Sequence, residues 1–191
     1  MTVFVRHAES EANTGMASQD PALIPLTAKG HAQAAILASS WPLQRPVRLI
    51  VSPFIRAKQT AAPLASRFGM TLETMEIWEF TYLSPERCAG TTAAVRRPWV
   101  QDYWERSDPH HVDGLGAESF ANFMQRAANA RRSFLSTAAG IGCVAVCHGQ
   151  FIQALRWLKM YPDREIDRDA MRDFRQLDLD QPVPHCVPIF L

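Results

Sequence analysis

No stretch of the 191-residue chain approaches the roughly 18–20 apolar residues of a membrane span. No basic start followed by a long apolar segment marks a secretory leader. Charge of one sign is not in excess. Lysine and arginine total 20 against 19 aspartate and glutamate, for a formal net charge of +1. That balance excludes a general attraction to nucleic acid or an acidic membrane and leaves only local anion binding. Cysteine is scarce, with Cys88, Cys143, Cys147 and Cys186 alone. No Cys-x-x-Cys or His-x-x-x-His pair points to a metal, and a domain of this size needs no disulfide framework. The four cysteines therefore read as small hydrophobes in a reducing compartment. Internal repeats, low-complexity tracts and linkers are missing too. What is present is 47% hydrophobic and 20% charged, a globular composition with enough apolar residues for a full core. The expectation is one soluble, cytoplasmic domain over residues 1–191. The oligomeric state is not legible.

Strand-like runs alternate with helical ones. Residues 2–7 are β-branched and aromatic and read as a buried strand. Residues 8–25 read as a loop or short helix. Thr27 is an N-cap for a helix over 28–39, with Ala28, Ala32, Ala35 and Ile36 as its apolar stripe. Gly30 in the first turn points to close packing against a neighbour. Residues 47–51 form a second strand, ending in Ser52-Pro53. A serine N-cap followed by proline at the first helical position predicts a helix over about 54–67, with Arg56 in its first turn. Residues 71–77 alternate weakly as a third strand. Residues 81–116, rich in proline and glycine, read as a lid-like insertion with a helix near 91–105. A long helix runs from about 118 to 137, with Phe120, Phe123, Met124, Ala127, Phe134 and Leu135 inward. Gly142–Cys147 is a fourth strand, followed by a helix using Ile152, Leu155 and Leu158. A helix over 167–176 and an edge strand over 185–191, marked by Pro188, close the chain.

The chemistry gathers at strand ends. Arg6-His7 ends the first strand, Arg56 follows the second, Glu79 the third, and His148 the fourth. Strands alternating with helices imply a mostly parallel sheet with helices on both faces, a three-layer α/β/α sandwich. Right-handed crossovers bring the carboxyl ends of such strands to one edge, where ligands bind. These five residues can therefore converge. A guanidinium fork suits a phosphate or carboxylate, and a neutral imidazole beside it can act as nucleophile, acid or base. Glu79 lies between Trp78 and Phe80, whose shielding raises a carboxyl pKa.

The sequence resembles the histidine phosphatase superfamily, the phosphoglycerate mutase-like fold. Arg6-His7-Ala8-Glu9 stands where that family has Arg-His-Gly-Glu, and Asn13 follows at its spacing. The segment Pro25–Ala34 resembles its Leu-Thr-x-x-Gly-x-x-Gln-Ala, and Ser52–Ala61 its Ser-x-x-x-Arg-x-x-Gln-Thr-Ala. Ala117-Glu118-Ser119 and Cys147-His148-Gly149 stand for Gly-Glu-Ser and Ser-His-Gly. The matches run in order over about residues 3–155. Two departures stand out: Ala8 replaces the glycine beside the nucleophile, and the acid-bearing segment is poorly matched, pointing to Glu79 with Glu76 as the other candidate.

The resemblance implies a phosphatase of small phosphorylated metabolites, acting without metal or cofactor. His7 forms a phosphohistidine. Arg6, Arg56 and His148, the last as imidazolium, bind the phosphoryl oxygens, with Asn13 as a further donor. Glu79 protonates the leaving oxygen. Mutase-type phosphoryl transfer and a non-catalytic phosphate-binding module are the competing readings. Specificity is expected in residues 81–116. There Arg96 and Arg97 read as helix charges or as grips for a second anionic group. His110 and His111 read as loop surface, and Trp99, Tyr103 and Trp104 as packing.

Overall fold

The computed structural model describes residues 2–136 and 142–191. The apolar run at the start becomes β1 (Thr2–Arg6). A 3-10 turn at Glu11–Thr14 precedes α1 (Ala28–Ser39), whose N-cap Thr27 accepts from the Gly30 N–H at 3.0 Å. Then come β2 (Arg48–Val51), α2 (Ile55–Phe68), β3 (Glu73–Thr74), α3 (Pro85–Cys88), α4 (Ala93–Arg106) and α5 (Phe120–Ser136). β4 (Cys143–Cys147), α6 (Gly149–Met160), α7 (Arg168–Asp180) and β5 (Pro188–Phe190) complete the order. The expected end of α5 at 137 lies outside the described residues. Among the described residues, no helix is long and apolar enough to cross a membrane.

The five strands form one sheet in the order β3-β2-β4-β1-β5. β1, β2, β3 and β4 run parallel, and β5 lies antiparallel along the edge of β1, with Pro188 opposite Val5. In register, Arg6 pairs with Cys147, so the residues that follow each strand emerge at one edge.

Strand alternation sends side chains to two cores. Val3, Val5, Leu49, Val51, Val144 and Val146 pack on α1 and α2. Phe4, Ile50 and Ala145 face the larger, aromatic-rich core of α4, α5, α6 and α7. Helices thus cover both faces, as the alternation implied.

The structure corrects several expectations. In α1 the buried residues are Gly30, Ala34, Leu37 and Ala38, while Ile36 is 63% exposed. The cause is Gly30. A Cβ there would lie 2.0 Å from the Glu9 carbonyl oxygen, so α1 presents its glycine edge to the loop after β1, turning the expected stripe outward. β3 shrinks to two exposed residues with only β2 as neighbour. α2 begins at Ile55, with Phe54 at its N-cap; the Ser52 hydroxyl instead accepts from the Phe54 N–H at 3.3 Å. Leu135 is exposed, and Ala130 takes its place in the α5 stripe. The insertion holds two helices, and Pro98 sits inside α4.

Candidate active site

The site lies where β1, β2 and β4 end. His7 leaves β1 with its N–H on the Cys147 carbonyl at 2.9 Å, and Ser52 leaves β2 with its N–H on the Val146 carbonyl at 3.0 Å. His148 follows β4 directly and N-caps α6. The sheet therefore carries both histidines to one place. Their ring centroids are 5.1 Å apart at 62°, and both rings are buried, His7 to 3% exposure and His148 completely.

The partners of His7 fix its tautomer. Nδ1 lies 2.7 Å from the Ala8 carbonyl oxygen, which can only accept, so Nδ1 carries the proton. Nε2 receives the Arg56 Nε–H at 3.1 Å and so presents a lone pair. Burial, then the nearby Arg56 guanidinium, push the His7 pKa well below the ordinary imidazole value. The ring is neutral at physiological pH, with its available electron pair facing a cation.

The peptide that holds Nδ1 is itself held. The Ala8 N–H donates to Thr60 Oγ1 at 3.0 Å, and that hydroxyl donates to the Arg56 carbonyl at 2.7 Å. One side chain on α2 thus links the nucleophile's peptide to the backbone of Arg56. The next turn of chain is anchored by glutamines. Gln33 Oε1 accepts the Glu9 N–H and Gln59 Oε1 the Leu26 N–H, both at 2.8 Å. The Ala8 methyl is fully buried among Leu26 and Ala34, and there it displaces no polar group.

Arg6, half-buried, and Arg56, buried, supply two cations. Arg6 Nη1 donates to the Val183 carbonyl at 2.7 Å, while its Nε is buried without a partner. Its guanidinium lies over Gly149, where a Cβ would stand 3.3 Å from Nε. Arg56 Nη1 donates to the Pro21 carbonyl at 2.6 Å. Burial lowers both pKa values, that of Arg56 to about 10, against the opposing pull of Glu79. Both stay charged at neutral pH.

Glu79 joins this cluster from the loop after β3. Burial raises its pKa, as the flanking aromatics implied, while Arg56 and Arg6 oppose the rise. Its Oε1 accepts the Phe80 N–H at 3.1 Å. The loop is latched from α5. Arg126 makes a bidentate pair with Glu118 at 2.9 and 2.7 Å, donates to the Glu76 and Trp78 carbonyls, and lies 4.4 Å over the Trp78 ring. Glu76 is exposed and lines a different cavity with Arg126 and Asn129. Of the two acid candidates, only Glu79 shares the surroundings of Arg6 and Arg56.

One site expectation changes. His148 is not an imidazolium, because complete burial, then Arg56 and His7, hold its pKa well below the usual range. Its Nε2 is 2.7 Å from Ser52 Oγ, and its Nδ1 is buried without a partner. Asn13 uses its side-chain carbonyl oxygen in the local turn, which leaves its amide N–H groups as the donor expected of it. Its Oδ1 accepts from the Ser10 N–H at 3.0 Å and the Ser10 hydroxyl at 2.8 Å, and the residue is exposed.

Sequence reasoning overlooked three contributors. Thr60 lay within a quoted segment without a role. Arg126 stands on α5 outside every motif of the sequence. His185 comes from the tail, its ring 5.5 Å from His7 and its Nδ1 2.5 Å from the His7 carbonyl. The bridge of His185 to Arg6 places it there, and a contact across 178 positions leaves no local signal.

Beyond Arg56 and Glu79 opens a cavity of about 350 Å³, walled by Phe54, Leu83, Pro85, Val100 and Arg96 among others. Its outer wall is α3 and α4. Arg97 and His110 are exposed, while His111 packs near Tyr103. Tyr103 and Trp104 belong to the core, with Trp99 packed against it.

Comparison with known proteins agrees with this architecture. The profile of a family described as the histidine phosphatase superfamily (branch 1) matches residues 2–176. An uncharacterized protein of Mycobacterium tuberculosis, Rv0525, is 34% identical over 107 residues, 55% of this chain and 52% of its own. The chain thus spans about half the length of that curated relative. Among solved structures, mycobacterial hydrolase 1 superposes with a TM-score of 0.73 at 20% identity, covering 98% of this chain and 86% of that one. A phosphoserine phosphatase of Entamoeba histolytica gives 0.68 at 22% identity, covering 92% and 85%. At such identities the likeness concerns the fold.

Proposed function

The chain belongs to the histidine phosphatase superfamily, and from that premise we propose that it hydrolyses phosphate monoesters through a phosphohistidine on His7. The observation that carries this reading is the state of the His7 ring: Nδ1–H tied to the Ala8 carbonyl, Nε2 unprotonated and facing Arg56. A nucleophile needs an unprotonated nitrogen and a fixed ring, and both are in place before substrate arrives; the lone pair is held by Arg56 until the phosphoryl group takes that donor.

In the first step Nε2 attacks phosphorus in line, and the bond to the ester oxygen breaks. Arg56 Nε–H passes from the imidazole to a phosphoryl oxygen. Arg6 adds its unpartnered Nε–H. The Ser52 hydroxyl, which accepts from Phe54, is free to donate to His148 Nε2, so that Nδ1–H faces the phosphoryl group as a neutral donor. Fixed donors in a dry site stabilise the charge that spreads over the equatorial oxygens. Glu79, whose pKa burial raises, gives its proton to the leaving oxygen. In the second step the Glu79 carboxylate takes a proton from water, the water oxygen attacks phosphorus, and the P–N bond breaks. The products are an alcohol and inorganic phosphate, with His7 neutral and Glu79 protonated again.

The phosphorylated metabolite's leaving group occupies the cavity under α3 and α4, the lid-like insertion at 81–116. The cytoplasm is the proposed compartment, supported by four free thiols. The test is turnover of p-nitrophenyl phosphate with trapping of a phosphoenzyme. Loss of both in His7→Ala supports the reading, and retention of either overturns it. Conversion of 3- to 2-phosphoglycerate without net release of phosphate replaces hydrolysis with mutase chemistry.

A further inference from the structure

We infer that the cavity beside Arg56 and Glu79 selects a phosphomonoester whose leaving group is apolar, near the size of one ring, and carries a carboxylate that Arg96 binds. This rests on the hydrolase reading above. It goes beyond it by naming the class of leaving group.

Three observations carry it. First, at about 350 Å³ the cavity lies at the small end of ligand sites, and it opens from the residues proposed to hold the phosphoryl group and protonate the ester oxygen. Second, its walls are mostly apolar. Ile24, Phe54 and Leu83 are buried, and Pro85 and Val100 continue the same surface. Of the uncharged polar side chains, the Thr81 hydroxyl already donates to the Glu79 carbonyl and Tyr82 hydrogen-bonds with Trp104, which leaves Ser18 and the exposed Gln19. A sugar would lose water from several hydroxyls here and find few partners, at a cost for each hydroxyl left unpaired. A ring or branched chain loses nothing.

Third, Arg96 faces this apolar space in the first turns of α4 and is half-buried. Of the neighbouring arginines of the insertion, Arg97 is exposed to solvent and does not line the cavity, and the other two are paired. Arg87 pairs with Asp113 at 2.6 Å and stacks on Trp99, and Arg106 pairs with Asp102. Arg96 takes part in none of the ion pairs of the described residues. Its side-chain partner is the Cys88 thiol, a weak acceptor. A guanidinium in an apolar wall without a carboxylate is matched by one brought by the ligand, since a planar fork takes two carboxylate oxygens at once. Arg56 and Glu79, proposed to act on the phosphoryl group and the ester oxygen, line the same cavity, so the substrate carries a second anionic group on an apolar body.

The test compares phenyl phosphate, 3- and 4-carboxyphenyl phosphate and ribose 5-phosphate on wild type and Arg96→Met, which keeps the apolar stem. For wild type, kcat/KM should be at least tenfold higher for one carboxyphenyl isomer than for phenyl phosphate, and lowest for ribose 5-phosphate. In Arg96→Met the carboxylate advantage should vanish through KM, with phenyl phosphate within twofold of wild type as the folding control. Preference for ribose 5-phosphate, or an advantage that survives the substitution, overturns the inference. If wild type hydrolyses no ester, the hydrolase reading fails, and calorimetric binding decides the cavity separately. Tenfold weaker binding of the preferred carboxyphenyl phosphate to Arg96→Met upholds the assignment, and equal binding removes it.

Discussion

The two ends of the cavity are built by different means. At the strand ends almost every functional group is fixed by main chain. His7 is held by the Ala8 carbonyl, Arg6 by that of Val183, Arg56 by that of Pro21, and Glu79 by the Phe80 N–H. At the far end the wall is held by side chains near solvent. Asp113 accepts the Ser84 N–H and pairs with Arg87, and Ser84 Oγ donates to the Leu115 carbonyl. Backbone anchors do not change with a substitution, whereas side-chain anchors do. The reacting end is therefore rigid, and the wall facing the leaving group can be altered without disturbing it.

That contrast can be broken most directly at His7. His7→Ala should lower turnover of p-nitrophenyl phosphate by about 10⁴-fold or more, the scale of a lost nucleophile, with the melting temperature nearly unchanged. A loss of under 100-fold would mean that the rigid end does not hold the nucleophile.

Glu79→Gln comes next. Loss of the acid should cost about 10²–10⁴-fold with an alkyl phosphate and much less with p-nitrophenyl phosphate, whose leaving group needs little protonation. The pH dependence follows from the signs. Burial raises the Glu79 pKa, so the protonated form is lost, and kcat/KM falls, as pH rises through that raised value. Burial lowers the His7 pKa, so the acid limb lies well below 6.5. Glu79→Gln should remove the alkaline limb and leave the acid one. Survival of both limbs would exclude Glu79 as the acid.

Thr60→Val sharpens the comparison. It strands the buried Ala8 N–H, at a cost of about 1–3 kcal/mol, and frees the peptide that fixes the His7 tautomer. We expect a lower melting temperature and roughly tenfold lower kcat, with KM changed little and Thr60→Ser restoring both. A change in stability alone would make Thr60 a packing residue only.

The smallest effect belongs to the far wall. Asp113→Ala removes the carboxylate that pairs with Arg87 and leaves the Ser84 N–H without its acceptor, at a cost to stability of about 1–3 kcal/mol. KM should rise by a factor of a few and kcat stay constant. A large fall in kcat would show that the two ends are coupled and the contrast false.

What the sequence disclosed divides along the same line. Strands with β-branched runs and the polar residues at their ends, Arg6, His7, Arg56 and His148, were legible because alternation and crossover geometry place them. The cap at Thr27 was legible because the Gly30 N–H lies three residues on, even though the hydroxyl also donates to Glu9. Ser52 was misread because α2 starts later, at Ile55, and the Ser52 hydroxyl faces His148 instead. Ile36 was misread because the face α1 turns inward is set by the fit of Gly30 on the Glu9 carbonyl, a contact between segments. The same reason hid His185 and Arg126, which act through partners 178 and some 50 positions away. The charge of His148 could not be read because it depends on burial, which no local pattern encodes.

The position after His148 has a consequence for interpreting variant chains. Gly149 leaves room for the Arg6 guanidinium, and a methyl there would displace it by a few tenths of an ångström. Alanine is a better helix former than glycine, so such a chain would fold as well or better while gripping phosphate less well. A survey that ranks variants by robustness would score this one as benign, and only an assay of throughput would find the damage.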